Sequence, residues 1–325
     1  MAYSLSSQLF LLTITARRGQ GAPCAEYAAQ KLRVALKHNP DNEEAKHALS
    51  ALVADPTVTT ASTAYITSLF DEYAATFDKA LVQDLNYTAP QKIHEVVSEL
   101  ATRTGIKSFK TVVDVGCGTG LVGPLVRNLT ETLVGVDLSS QMIEQARQRQ
   151  VYDELHVEEI TESLARYHNK SDRARMRAIG LVVAADVFVY SGDLGGVFKA
   201  AALGIKRGGW FALTLERLFR NETAEAEAEA AGVGAGESVL DISGEEAGAG
   251  GEVDAPKAQT FKVTEEDLAK GWKLQLSGRF AHSEQYVTGL ATANGFKVMH
   301  HETFVPRKDQ GKDIPGQLFV LELTR

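Results

Sequence analysis

The stretch Val112-Val113-Asp114-Val115-Gly116-Cys117-Gly118-Thr119-Gly120, answered by Val134-Gly135-Val136-Asp137, leaves this chain few folds to adopt. The first piece reads as a buried parallel strand that breaks into a glycine-rich turn and then opens a helix. Glycines at 116, 118 and 120 remove Cβ atoms where a backbone must bend sharply and approach a ligand closely. Seventeen residues after Gly120 a second apolar run ends in Asp137. A carboxylate at the tip of the next strand is placed to accept hydrogen bonds from both hydroxyls of a ribose. A turn serving only chain reversal would need no acid at that distance. The pair predicts an α/β sheet that holds a nucleoside-containing ligand.

The glycine spacing narrows the ligand. A dinucleotide fingerprint runs G-x-G-x-x-G and seats a pyrophosphate on the helix N-terminus. Here the glycines run G-x-G-x-G, and Gly123-Pro124 does not restore the longer spacing. The string resembles the D-x-G-x-G-x-G motif of the class I methyltransferases, which bind S-adenosylmethionine. That resemblance implies a Rossmann-like α/β fold, with a seven-stranded, mostly parallel sheet in the order 3-2-1-4-5-7-6. It also implies a cofactor site drawn from Tyr73, Asp114, Gly116, Cys117, Gly118, Gly120, Asp137, Leu138, Met142, Glu159, Ile160 and Asp186. Within that set Asp137 would take the ribose and Glu159 the adenine amino group, where aspartate is the usual residue. Cys117 reads as a small loop residue. Asp186 interrupts the apolar run Leu181–Tyr190, which reads as one strand buried on both faces.

Ahead of the glycine loop, Phe70, Tyr73 and Phe77 recur at helical spacing. Periodicity alone makes them a core-facing aromatic stripe. They also resemble the F-D-x-x-A-x-x-F/Y-D helix that closes over the cofactor in small-molecule methyltransferases, which implies a contact from the Tyr73 hydroxyl. Between Ala25 and Leu52, a helix former gives way to His38-Asn39-Pro40-Asp41-Asn42 and then to a second helix. This hairpin resembles a tetratricopeptide repeat. One repeat cannot bury its own face, so it is expected to pack on the larger domain. Taken together, these motifs, with V-A-A-D-V-x-V-Y and S-G-R-F-A-H-S, resemble the methyltransferases that carry an N-terminal tetratricopeptide repeat.

Three segments follow: an extension over 1–23, the hairpin over 24–55, and a methyltransferase-like domain over 56–325. Residues 1–23 lack acids and carry Arg17-Arg18, a composition open to organelle targeting or to a plain extension. Between Glu222 and Asp254 stand ten acids and no Lys or Arg, which predicts a disordered acidic insertion over about 219–258. The formal net charge of −8 argues against a nucleic-acid ligand. No apolar run reaches the eighteen or so residues that span a bilayer. Two cysteines, Cys24 and Cys117, make no disulfide framework, so a reducing, cytoplasmic setting is the default.

Methyl transfer needs an acceptor lone pair aligned with the S–CH3 bond. A hydroxyl acceptor would be helped by a base of near-neutral pKa. His282 in Arg279-Phe280-Ala281-His282-Ser283 is the candidate base, and Arg279 the candidate partner of an acceptor carboxylate or phosphate. Each has a structural alternative, a helix-start hydrogen bond and a surface charge. His300-His301 lack a neighbouring ligand cluster, so no metal is expected. The chain therefore reads as an enzyme that methylates a small-molecule acceptor. The competing class is a cofactor-binding adaptor whose hairpin or acidic loop recruits a protein partner.

Overall fold

Successive residues of a strand point to opposite faces of its sheet, and this chain spends both faces on core. Val113, Val134, Val182, Phe211 and Phe319 lie in one buried cluster. Their chain neighbours Val112, Leu133, Leu181, Trp210 and Leu318 lie in another. In the computed structural model, residues 22–79, 85–168, 179–219, 263–309 and 311–325 are described. The insertion expected over about 219–258 and nearly all of the N-terminal extension fall outside them.

The parallel strands are β1 (Phe109–Val115), β2 (Thr130–Asp137), β3 (Glu154–Val157), β4 (Ile179–Ala184) and β5 (Ile205–Arg217). A short hairpin, β6 (Trp272–Leu274) and β7 (Phe280–His282), attaches where β7 pairs in parallel with the end of β5. Strand β8 (Phe296–Phe304), a two-residue pair β9 (Lys308–Asp309) and β10 (Lys312–Asp313), and β11 (Gly316–Leu323) complete the chain. The main order is β3-β2-β1-β4-β5-β11-β8, with β11 antiparallel to both of its neighbours. Counted over the seven long strands this is 3-2-1-4-5-7-6, as expected.

Helices cover both faces. The hairpin consists of α1 (Ala22–His38) and α2 (Glu43–Leu52), and α3 (Thr63–Tyr73) and a single turn, Phe77–Lys79, come next. Then α4 (Ala89–Thr104) lays Ile93, Val97 and Leu100 on the Trp210 side of the sheet. After β2 comes α5 (Ser140–Gln148), capped by Ser139, whose Oγ accepts the Met142 N–H at 3.0 Å. After β3 comes α6 (Ile160–Arg166), and after β4 comes α7 (Gly195–Gly204). Helices α8 (Glu265–Lys270) and α9 (Glu284–Ala293) flank the β6–β7 hairpin. Leu164, Phe198 and Val287 from α6, α7 and α9 fill the Phe211 side. Each fully buried aliphatic or aromatic side chain of this kind contributes roughly 1.5–3 kcal/mol.

The apolar run Leu181–Tyr190 is not one strand. Strand β4 stops at Ala184, and Phe188–Tyr190 forms a 3-10 turn. The break is at Asp186, which adopts φ 61°, a left-handed conformation uncommon outside glycine. Its N–H donates to the Thr214 Oγ1 at 2.8 Å, which holds the bend.

The hairpin packs on the rest of the chain. Ala28, Leu32, Ala45 and Leu52 close around Leu276, while Ala51 meets Trp272, Leu274 and Phe280. The buried His47 uses Nε2 to bind the Gly278 carbonyl at 2.7 Å and stacks on Tyr65 with ring centroids 4.5 Å apart. No helix among the described residues is long and apolar enough to cross a membrane.

Candidate active site

A cavity of about 370 Å³ opens at the C-terminal ends of β1, β2 and β4, where an open α/β sheet binds ligands at its switch point. Its floor is Gly116, Cys117, Gly118 and Thr119, and one side is Asp137, Leu138, Glu159 and Ile160. The other side is Asp186, Val187, Phe188 and Tyr190, with Arg279 and Arg307 at the far end. Ile66, Phe70, Phe77 and Tyr87 cover it.

The glycine loop is shaped by its own sequence. Gly116 and Gly118 take φ 62° and 54°, where a side chain is strained. A Cβ at Gly116 would also stand 2.6 Å from Val187, so the loop could not lie against the β4 end with any other residue. Asp137 braces this loop from β2. Its two oxygens accept the N–H groups of Gly118 and Ser139, each at 2.9 Å. Burial pushes its pKa up, and those N–H groups oppose the rise. Each oxygen keeps a second lone pair for a ligand hydroxyl.

Several expected residues lie off the cavity. Asp114 is buried beneath the loop, where its Oδ2 accepts the Tyr152 hydroxyl at 2.7 Å. Burial, opposed by that hydroxyl and reinforced by Asp137, raises its pKa to about 7. Gly120 packs toward Tyr152 and Met142 is sealed in the core of α5, so all three support the loop from behind. Tyr73 is 38% exposed and does not line the cavity. Phe70 and Phe77, on the neighbouring helical positions, take that wall, with Phe70 edge-on to both Phe77 and Tyr190. Glu159 lines the cavity but also caps α6, its Oε2 accepting from Thr161 N at 2.7 Å and Glu162 N at 3.0 Å.

His282 is corrected outright. It is fully buried behind the cavity wall and its Nε2 binds the Gly192 carbonyl at 3.0 Å. Burial drives its pKa down to about 4, against the pull of the Gly192 and Ser191 carbonyls. A neutral imidazole held there by a backbone carbonyl reaches no acceptor. Arg279, by contrast, lines the cavity. Burial works against its charge, but Tyr190, Glu216 and Asp186 around it hold its pKa above the usual value.

Arg307 is a site residue that sequence reasoning missed. Its side chain is buried and ion-paired to both Asp186 and Glu216. Tyr87, which follows the aromatic helix in the Leu85-Asn86-Tyr87 string and was given no role there, donates its hydroxyl to the Ala185 carbonyl at 3.2 Å beside Asp186. Among the described residues no cluster of His, Cys, Asp or Glu could hold a metal ion.

Residues 113–211 match a family model described as a methyltransferase domain, and this span runs from the end of β1 through the glycine loop to the first half of β5. No curated protein matches the chain. Solved structures of similar fold include the magnesium protoporphyrin IX methyltransferase of Synechocystis with bound SAH. It is 12% identical over 80% of this chain and 98% of its own, with a TM-score of 0.47. The N-methyltransferase NodS of Bradyrhizobium japonicum, in complex with S-adenosyl-L-homocysteine, is 12% identical over 80% and 99%, with a TM-score of 0.48. The 1,6-didemethyltoxoflavin-N1-methyltransferase of Burkholderia thailandensis is 11% identical over 81% and 89%, with a TM-score of 0.49. The sheet order is that of the class I methyltransferase fold.

Proposed function

We propose that this chain is an S-adenosylmethionine-dependent methyltransferase acting on a small-molecule acceptor. The observation that carries this reading is Asp137. It stands at the tip of β2, faces the cavity, and is tied to the N–H of Gly118 in the loop opposite. A ribose diol there would use the free lone pairs of both oxygens. The match of residues 113–211 to a methyltransferase domain supports the same reading.

The residues fit the cofactor piece by piece. Leu138 and Ile160 offer apolar surfaces for an adenine, and the Glu159 Oε1 can take its amino group. Gly116 and Gly118 let the backbone approach the methionine portion. In this reading the β3 end would hold the adenine through Glu159 and Ile160, and the β2 end the ribose through Asp137. The acceptor lies beyond, among Asp186, Tyr190, Arg279 and Arg307. When bound, the cofactor supplies an electrophilic methyl carbon. The protein's part is to exclude water with Phe70 and Phe77, and to orient the acceptor in line. With His282 buried, a hydroxyl acceptor would have to give its proton to another group on the cavity, whereas an amine acceptor attacks through its own lone pair and sheds its proton to water afterwards.

Calorimetric titration with S-adenosylmethionine, with NADH as control, tests this directly. Micromolar binding of the first and none of the second is expected; the reverse, or no binding of either, would refute the reading. Asp137→Ala is expected to weaken binding about a hundredfold, because charge-assisted hydrogen bonds to two hydroxyls are lost. Unchanged affinity in a folded variant would remove Asp137 from the site.

A further inference from the structure

The cofactor cavity ends at Arg279 and Arg307, and a second cavity of about 290 Å³ adjoins that end. It sits between the last residues of β5, the β6–β7 hairpin and the stretch from β9 to Pro315. Leu218, Leu274, Ile314 and Pro315 give it apolar walls. Arg279 lines both cavities, so its side chain belongs to the wall they share. The Arg307–Glu216 ion pair spans the same wall, with Arg307 on the first cavity and Glu216 on the second.

Local structure fixes Arg279 at this place. Gly278 before it takes φ 75°, a conformation glycine adopts without strain, and the Gly278 carbonyl is held by His47 of α2 at 2.7 Å. The Arg279 carbonyl accepts the Gln275 N–H at 2.8 Å, which closes the turn. The two arginines then differ in what their charge meets. Arg307 gives one Nη to Asp186 and the other to Glu216. Among the described residues Arg279 forms no ion pair; Tyr190 stands beside it, and the two acids nearby are already engaged by Arg307. A guanidinium carries five N–H donors in a planar fork, and its charge is costly away from water until an anion meets it.

We propose that the acceptor is a carboxylic acid on an apolar body, that Arg279 grips its carboxylate where the two cavities meet, and that the second cavity holds the apolar body. The inference rests on the methyltransferase reading for the reacting end, which stands in the cofactor cavity near Asp186 and Tyr190. The remainder of the molecule lies among Leu218, Leu274 and Ile314. One planar fork matches the two oxygens of a carboxylate. A phosphate dianion would call for a second uncommitted cation. Lys273 on the second cavity is ion-paired to Asp267 at 2.8 Å, Arg217 lies over the Phe219 ring, and Asp309 on the same lining opposes further negative charge.

The test titrates matched probes into the full chain saturated with S-adenosylhomocysteine: phenylhexanoate against phenylhexanol, and naphthoate against naphthylmethanol. Each acid is expected to bind about tenfold more tightly than its alcohol, the worth of a charge-assisted pair. Arg279→Gln should bring each acid down to its alcohol. Ile314→Trp, which fills the second cavity, should weaken acids and alcohols alike by about tenfold and leave the affinity for S-adenosylhomocysteine at the parent's value. Equal binding of acid and alcohol by the parent, or binding of neither, would overturn the proposal while the cofactor reading stands. Acid binding that survives Ile314→Trp would put the acid in the cofactor cavity alone and would overturn it equally. Should Arg279→Gln fail to fold, the matched pairs on the parent and on Ile314→Trp still decide. A parent that does not bind S-adenosylhomocysteine would refute the cofactor reading by itself, and the same probes on the unliganded chain would still decide the carboxylate site.

Discussion

Arg307 holds two carboxylates inside the protein that would otherwise repel each other at the end of the cavity. Its guanidinium pairs with Asp186 and Glu216, and both acids are at least largely buried. Burial pushes the Glu216 pKa up while Arg307 pulls it back, so the charge state of this cluster depends on the arginine. Removing one member of a buried ion cluster leaves uncompensated charge, which typically costs about 3–5 kcal/mol. Arg307→Met is therefore expected to lower the stability by that order in urea unfolding at pH 8. The deficit should shrink as the pH falls toward 5, because Glu216, with a raised folded pKa, takes up a proton more readily folded than unfolded. A pH-independent deficit would assign the loss to packing alone. The residue was illegible in the sequence for a physical reason. An arginine among Pro306, Lys308 and Asp309 carries no periodicity, and only the fold reveals that it points inward.

At the scale of elements, what could be read depended on how local the signal was. The strands around the glycine loop announce themselves, because parallel strands buried on both faces must be continuously apolar and the loop glycines must take positive φ. The hairpin helices were legible from Pro40 and the Asx residues between them, and Asn42 does cap α2 by accepting the Ala45 N–H at 2.8 Å. What periodicity misjudged was rotation and depth. Tyr73 shares a helix with Phe70, but the faces differ and the phenylalanine turns inward. His282 looked accessible because it precedes a helix; the β6–β7 hairpin, which exists only through its pairing with β5, seals it. The same hairpin explains the docking of α1 and α2, since His47 binds the Gly278 carbonyl one residue before Arg279. His47→Ala is expected to lose about 2–3 kcal/mol, the cost of an unsatisfied buried carbonyl plus a lost ring stack. Thermal unfolding checks it, and a loss under 0.5 kcal/mol would mean the hairpin docks through its aliphatic contacts alone.

For the whole molecule, the buried titratable groups pull stability in opposite directions across the same pH range. Asp114 has a folded pKa near 7, well above its ordinary value, so the folded state keeps a proton that the unfolded chain gives up. Stability from this group is greatest at low pH and is lost as the pH rises from about 4 to 7, by on the order of 4 kcal/mol. His282 works the other way. Its folded pKa is driven down to about 4, and burial lowers His47 as well, so the unfolded chain binds their protons more tightly below pH 6.5. Stability from the histidines is full above that point and declines toward pH 4. The two terms oppose each other, so the parent's profile between pH 4.5 and 7 is expected to be shallower than either term alone would give. Single substitutions should unmask each half. Asp114→Asn keeps an acceptor for the Tyr152 hydroxyl and removes the proton, so its urea midpoint should fall steeply on acidification. His282→Gln keeps a donor for Gly192 and cannot charge, so its midpoint should rise as the pH falls toward 4.5. If both variants track the parent's profile, neither group titrates within its folded environment. Asp137 and Glu216, whose pKa values burial also raises, act in the same sense as Asp114, so the slope left in each variant reports the carboxylates and the histidines as two opposed sets.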